Sequence, residues 1–569
     1  MNIKISFFIG LFFAVVGLHV RASAHLPAIF GDNMILQRNM NIPVWGRALP
    51  GEHVIINFRQ HSYQADADTN GKWTLKLGSY QAGGPYEMHI RDQTGETVFK
   101  NIWIGDVWVA SGQSNMEFGI QTEQNGQETI ARATDSLIHF FYVPMAYSLI
   151  PQDDILNPGS ESLNGKWVVC SPKLLASSGW AWHGFSAAGY YFAQQIRIKL
   201  HCPVGMIGVY KGGTPAQAWI SENGLSRKPS FNRYVEAHQK LIDNLDQAKK
   251  TYPNQVAAYQ LAVKQWNTDF GDNFNQQIKQ WDSIAAQAKI LGKPAPAMPV
   301  PIHPRPIAPT PPEGGFGAPA NLYNAMVAPV VPYGIKGVIW YQGEGNGDRL
   351  SDALEYKDLF PRLIEDWRDK WQQNKLPFLY VQLANYRAPA KTPAEGNWPW
   401  VREAQLKTLA LPLTGMAVTT DIGNADNIHP LNKKDVGLRL ALTARQVAYG
   451  EHIVASGPIY ESMKAEGHTL RLIFKSTGGG LIADSVRHPG QKVLTGFGIA
   501  GNNGKFIWAR AIIDGNSIVV SADEVPNPVA VRYNWADNPT GNLYNKEGLP
   551  ASPFRTDNWD EQSAHMKSP

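Results

Sequence analysis

The sequence of 569 residues predicts an α/β domain, built on a mostly parallel sheet covered on both faces, between two β-rich regions. Three observations predict it. Over residues 101–455, strand-like apolar runs alternate with amphipathic helical stretches, the pattern that βα units impose. On either side, over 25–100 and 456–569, short β-rich runs are separated by turn residues, as in small β-sandwiches. The length also exceeds what one hydrophobic core supports, so two or three domains are expected.

In the N-terminal region the runs are His53 to Phe58, Trp73 to Leu77 and Tyr86 to Ile90, separated by Asn70-Gly71 and Gly83-Gly84. Trp103 to Ala110 then reads as a buried strand. Ser186 is a candidate N-cap for a helix reaching Leu200, where apolar residues recur at helical spacing. Strands follow at Val204 to Tyr210 and Ile335 to Tyr341. Tyr356 to Trp371 reads as a helix, Phe378 to Leu383 as a strand and Val401 to Leu409 as a helix. Met416 to Asp421 is the last strand of the series, and Lys433 to Tyr449 its closing helix. The β signature returns at Leu470 to Phe474, Phe506 to Ile512 and Ser517 to Ser521. An insertion over about 225–315 interrupts the alternation. Phe231 to Leu291 is polar and reads as two or three helices, and Lys293 to Pro312 is too dense in proline to be helical. The insertion is either a substrate lid or a surface elaboration.

Hydrophobic residues make up 43% and charged residues 18%, an ordinary globular balance. A net charge of +4 on so long a chain, without a dense basic stripe, argues against nucleic acid as a partner. The 18 Trp and 21 Tyr either stack on sugar rings or fill large cores. Lys4, the apolar run Ile5 to Leu18 and the small residues Ala22-Ser23-Ala24 form a secretory signature, so residues 1–24 are expected to be cleaved. A retained anchor is the alternative. The run is short for a membrane span, and an exported, periplasmic or secreted chain without membrane insertion is expected. Cys170 and Cys202 either pair or remain two buried thiols. Neither they nor the 15 His show metal-ligand spacing, and no metal or cofactor is implied. Oligomeric state is not legible.

Four polar loops each follow a predicted strand, and open α/β sheets bind ligands beyond those strand ends. The first is Ser111-Gly112-Gln113-Ser114-Asn115-Met116, where Ser114 can present a hydroxyl and its own N–H to one carbonyl. Alone, such a serine is a turn residue or N-cap. The second, Lys211-Gly212-Gly213-Thr214, lets backbone approach a ligand and aim an N–H at developing negative charge. In the third, Gln342-Gly343-Glu344-Gly345-Asn346, Gln342 can donate to an oxyanion, while Glu344 and Asn346 either touch substrate or knit the loop. The last holds Asp426-Asn427-Ile428-His429-Pro430, an imidazole to accept the serine proton and a carboxylate three residues earlier to orient it. Serine hydrolysis uses all four.

The runs Gly112–Met116, Trp340–Asn346 and Ile428-His429-Pro430, with Leu26-Pro27-Ala28-Ile29-Phe30-Gly31-Asp32-Asn33 and Pro203-Val204-Gly205, closely resemble the bacterial sialate O-acetylesterase family, a branch of the SGNH hydrolases. The resemblance implies a flavodoxin-like three-layer α/β/α domain with flanking β-sandwich domains, removing O-acetyl groups from sugars through an acyl-enzyme. It makes Ser114 the nucleophile and His429 the general base. The oxyanion hole becomes the N–H of Ser114, an N–H of Gly212 or Gly213, and the Gln342 side chain in place of the asparagine common in SGNH enzymes. Asp426 fits the position of the triad acid, with Asp421 or a backbone carbonyl as alternatives. An acetylated sialic acid carries a carboxylate, for which Arg402 and Lys211 are candidate partners, unless they serve ordinary ion pairs. Acetylated xylan is the alternative substrate, and a non-catalytic glycan-binding protein the alternative of another class.

Overall fold

The structure, a computed structural model, describes residues 24–156, 165–177, 185–290, 296, 299–393, 396–484 and 493–559; the secretory signature lies outside them apart from Ala24. The central sheet contains β1 (Glu96–Gly112), β2 (Ile138–Tyr142), β3 (Trp167–Val169), β4 (Val204–Tyr210), β5 (Gly337–Tyr341), β6 (Phe378–Gln382) and β7 (Thr414–Val418), in the order β7-β6-β5-β1-β4-β2-β3. All neighbours are parallel except β2 and β3, which run antiparallel at one edge. The five strands β4-β1-β5-β6-β7 follow the flavodoxin-like order, second-first-third-fourth-fifth, whose direction of winding reverses between β1 and β5.

Helices cover both faces. Ser186 caps α2 (Ala187–Leu200) by accepting from Gly189 N–H, which satisfies one of the orphan donors of the first turn. Helix α2 packs against α5 (Lys433–Val447), and α3 (Leu350–Lys370) against α4 (Trp398–Thr408). Side chains alternate along a strand, and β6 shows the two layers directly. Phe378 and Tyr380 meet Phe360 of α3, whereas Leu379 lies beside Gly415 near Thr443 of α5. Much of the aromatic content is core: Trp108, Trp219, Trp340 and Trp367 are fully buried.

Strand β1 does not stop where the composition changes. Its first half pairs antiparallel with Gly83–Arg91 of the N-terminal β-region, and its second half pairs with β4 and β5. The junction is reinforced by Asp106, buried on β1, which binds Arg38 at 2.8 Å and accepts from Tyr449 at 3.0 Å. One apolar core accordingly runs from Ile42 and Val54 through Trp108 and Ile207. The C-terminal region has its own core, with Leu472, Phe497, Ile518 and Tyr533 between short antiparallel strands.

The insertion contains Asn232–Asp243 and then a rod, Leu245–Trp266, a π-helical turn at Asn267–Gly271, and Asp272–Ile290. The proline-rich return runs beside it: Trp266 Nε1 donates to His303 O at 2.9 Å, and Phe270 stacks on the His303 ring at 4.1 Å. Cys170 and Cys202 are both buried and unpaired with each other, and burial pushes the thiols up to about 12 and about 11 respectively. No helix among the described residues is long and apolar enough to cross a membrane.

Candidate active site

Gly112 at the end of β1 lies opposite Tyr210 of β4 on one side and Tyr341 of β5 on the other. Three strand ends are therefore level, and the loops beginning at Gln113, Lys211 and Gln342 leave the sheet along one line. Gly112 has φ of +134°, and a Cβ there would lie 2.1 Å from Tyr341 O, so only glycine lets the chain turn here. The turn delivers Ser114 as the first residue of the one-turn helix α1 (Ser114–Glu117), where its N–H falls outside the helical ladder.

The fourth loop arrives from β7. Tyr386 bridges to Asn424, and Arg387 N–H donates to Ala425 O, so the loop after β6 carries it back toward β1. His429 N–H is fixed by Asn427 Oδ1 at 2.9 Å, and Nε2 of His429 stands 3.0 Å from Ser114 Oγ. That is hydrogen-bonding range for proton transfer between residues 315 positions apart. Burial, and then the neighbouring Lys433 cation, push the imidazole down to about 4, so it is neutral and able to accept a proton at physiological pH.

Comparison with known proteins agrees with this chemistry. Residues 313–446 match the family model of sialic acid-specific acetylesterase carbohydrate esterases. The human sialate O-acetylesterase is 25% identical, over 94% of this chain and 93% of its own, and the mouse enzyme 26% identical over 76% and 75%. The crystal structure of a carbohydrate acetylesterase from Xanthomonas citri superimposes with a TM-score of 0.72 at 33% identity, covering 94% of this chain and all of that one. The chain belongs to the sialate O-acetylesterase family. It is a carboxylic ester hydrolase acting on carbohydrate esters.

Several polar residues of this esterase stand differently from the sequence-based expectation. Asp426 is exposed, with its own N–H bound to Asn424 Oδ1 at 2.8 Å. It makes no hydrogen bond to the His429 ring. The alternative Asp421 is committed to Arg439 in a bidentate pair at 2.6 and 2.7 Å. Three-residue spacing does not bring a carboxylate to the imidazole when the intervening loop turns outward. Gly212 N–H donates to Glu117 Oε2 at 2.6 Å, which leaves Gly213, at φ of +70° with open space where a Cβ would lie, as the other candidate donor. Gln342 is fully buried, and its amide nitrogen already donates to Thr214 O at 3.2 Å and Asn346 Oδ1 at 2.8 Å. It knits loops two and three together, and would have to release one bond to reach an oxyanion.

Glu344 and Asn346 are buried and likewise bind the loops: Glu344 Oε1 accepts from Asn115 at 2.6 Å, and Asn346 Oδ1 accepts from Ala216 N–H at 2.8 Å. Arg402 is fully buried and donates to the carbonyls of Leu383, Ala384, Ala536 and Asp537, so it is a brace between α4, the loop after β6 and the C-terminal region rather than a substrate contact. Lys211 differs: its ammonium lies 5.0 Å above the Phe316 ring, on the same loop as Gly213. Three residues that sequence reasoning did not single out stand at the site, namely Asn115, Glu117 and Lys433. The signal for two of them was positional, since Asn115 adjoins Ser114 and Lys433 opens the helix four residues beyond His429.

Proposed function

We propose that this esterase removes O-acetyl groups from sialic acids through an acetyl-enzyme on Ser114. The Ser114 Oγ to His429 Nε2 contact of 3.0 Å, at the point where the sheet reverses its winding, carries the reading. His429 takes the hydroxyl proton as Oγ attacks the acetyl carbon. The N–H groups of Ser114 and Gly213 receive the oxyanion, and the imidazolium returns its proton to the departing sugar alcohol. Water, activated by the same imidazole, then releases acetate. The substrate follows from the relatives' activity, with Lys211, on the loop that also holds Gly213, as the candidate cation for a sugar carboxylate. The secretory signature at residues 1–24 fits an exported enzyme meeting such glycans outside the cytoplasm.

Acetate release from O-acetylated sialic acid is compared with release from acetylated xylo-oligosaccharides. A preference for the sialate on the order of tenfold or more in kcat/KM is expected, together with no turnover by Ser114→Ala. Equal or better turnover of the xylo-oligosaccharide overturns the substrate, and an active Ser114→Ala enzyme overturns the mechanism. Lys211→Met is expected to raise KM for the sialate on the order of tenfold while leaving a neutral acetyl ester unaffected.

A further inference from the structure

The loop that carries His429 is tied down by a buried cation. Lys433, fully buried at the start of α5, donates to Pro430 O and to Asn115 Oδ1, each at 2.7 Å. Pro430 follows His429 in the chain, and Asn115 follows Ser114. The Asn115 amide nitrogen in turn donates to Ile428 O at 3.0 Å, the carbonyl just before His429. The backbone on both sides of the imidazole is thus tied to the residue beside the serine, and Lys433 and Asn115 are the ties. The ammonium also faces the rings of Phe118 at 4.7 Å and Tyr341 at 5.6 Å. The charged groups around it are Glu344 on loop three, Glu123 after α1, and His429 on its own loop. Burial pushes the ammonium down to about 7 against the pull of those two carboxylates. Glu344 is itself pushed up by burial, and its Oε2 is buried without a hydrogen-bond partner among the described residues.

We propose that Lys433 is a positioning residue, whose ammonium clamps the His429 loop to the Ser114 loop. A buried cation is costly to keep unless its neighbours use it, and here each hydrogen bond it makes falls next to a reacting residue. The electrostatic consequence differs from that of an aspartate. A carboxylate stabilises the imidazolium, whereas an ammonium destabilises it, so the resting ring stays unprotonated to lower pH, accepts the serine proton as a weaker base, and once protonated is a stronger acid toward the leaving sugar oxygen. The inference rests on Ser114 and His429 being nucleophile and base.

The test measures kcat/KM for an acetyl ester from about pH 3 to 8, with melting curves, in the wild type, Lys433→Gln and Lys433→Met. Glutamine keeps a donor toward Asn115 without the charge, and methionine keeps neither. The acid limb is expected to rise by about one pH unit in both variants. Turnover should fall on the order of a hundredfold in Lys433→Met and less in Lys433→Gln. Folded variants with wild-type turnover and a wild-type acid limb overturn the proposal. Should neither variant fold, the ring resonances of His429 in the wild-type enzyme decide. A main step near 4 with a smaller one near 7, as Lys433 loses its proton, is expected, and a single step at about 6.5 overturns it. Ser114→Ala is the control: if it is inactive while the Lys433 variants match wild type, the clamp alone fails; if it is active, the esterase mechanism fails first.

Discussion

Single residues decide the chemistry here through what they are bonded to. Asp426 sits where a triad acid is expected, yet it is exposed and its backbone is turned to Asn424. Removing the charge from a true triad aspartate costs about ten thousandfold. Asp426→Asn is therefore expected to stay within about threefold of wild-type kcat, and a loss approaching the triad value would return the residue to the imidazole. Gly112 is the opposite case. With φ of +134° and Tyr341 O 2.1 Å from a built Cβ, Gly112→Ala must move a strand end, and a loss of about 3 kcal/mol in unfolding free energy is expected by denaturant titration. The pH profile follows from His429. Its pKa is depressed, so the neutral base is retained as pH falls past the ordinary histidine range and is lost only through about 4. Wild-type kcat/KM is accordingly expected to hold at pH 5, where an unshifted imidazole would be mostly protonated.

Elements were legible where local chemistry and tertiary packing agree. Val204–Tyr210 and Ser517–Ser521 match their apolar runs end to end, and Ser186 announces α2 by its capping side chain. Helix α3 begins at Leu350, six residues before the run read from Tyr356, and its first turns already carry an apolar rhythm in Leu350, Ala353 and Leu354 that packs on the core. Strands β2 and β3 are missing from the sequence reading, although the β-rich run Ile138–Tyr142 carries a comparable signal for β2. The short run Trp167–Val169 is a strand only because β2 offers it an edge, a long-range fact that periodicity does not contain. The site divides in the same way. Ser114 and His429 stand out by their loops, whereas the occupied N–H of Gly212 and the saturated amide of Gln342 are properties of three loops meeting. Arg402 illustrates the consequence for α4: four carbonyls from two segments depend on one guanidinium, which burial pushes down to about 10. Arg402→Met is expected to cost on the order of 3 kcal/mol in unfolding free energy without altering the pH profile of the surviving enzyme.

Across the whole molecule, the parts differ in how far they depend on one another. The helical rod and its proline-rich return meet the body at their feet, where Leu241 packs beside Gly314 and Lys249 pairs with Glu313 at 3.7 Å. Most side chains between are exposed. Replacing residues 246–310 by a short flexible linker is expected to leave the melting temperature within about 3 °C and turnover of a small acetyl ester intact, since little apolar surface is lost. A collapse of either would show that the rod is part of the catalytic body.

The N-terminal β-region stands in the opposite relation to the sheet, because β1 belongs to both. Seventeen residues of one strand, bulged at Asn101, carry one end of the N-terminal β-region into the turn that presents the nucleophile. The two halves cannot be expressed as separate fragments and mixed to recover activity, for any cut between them severs the ladder that each needs. Slow amide exchange should likewise extend without a step from Ile102 to Val109, marking one cooperative unfolding unit that includes the floor beneath Ser114.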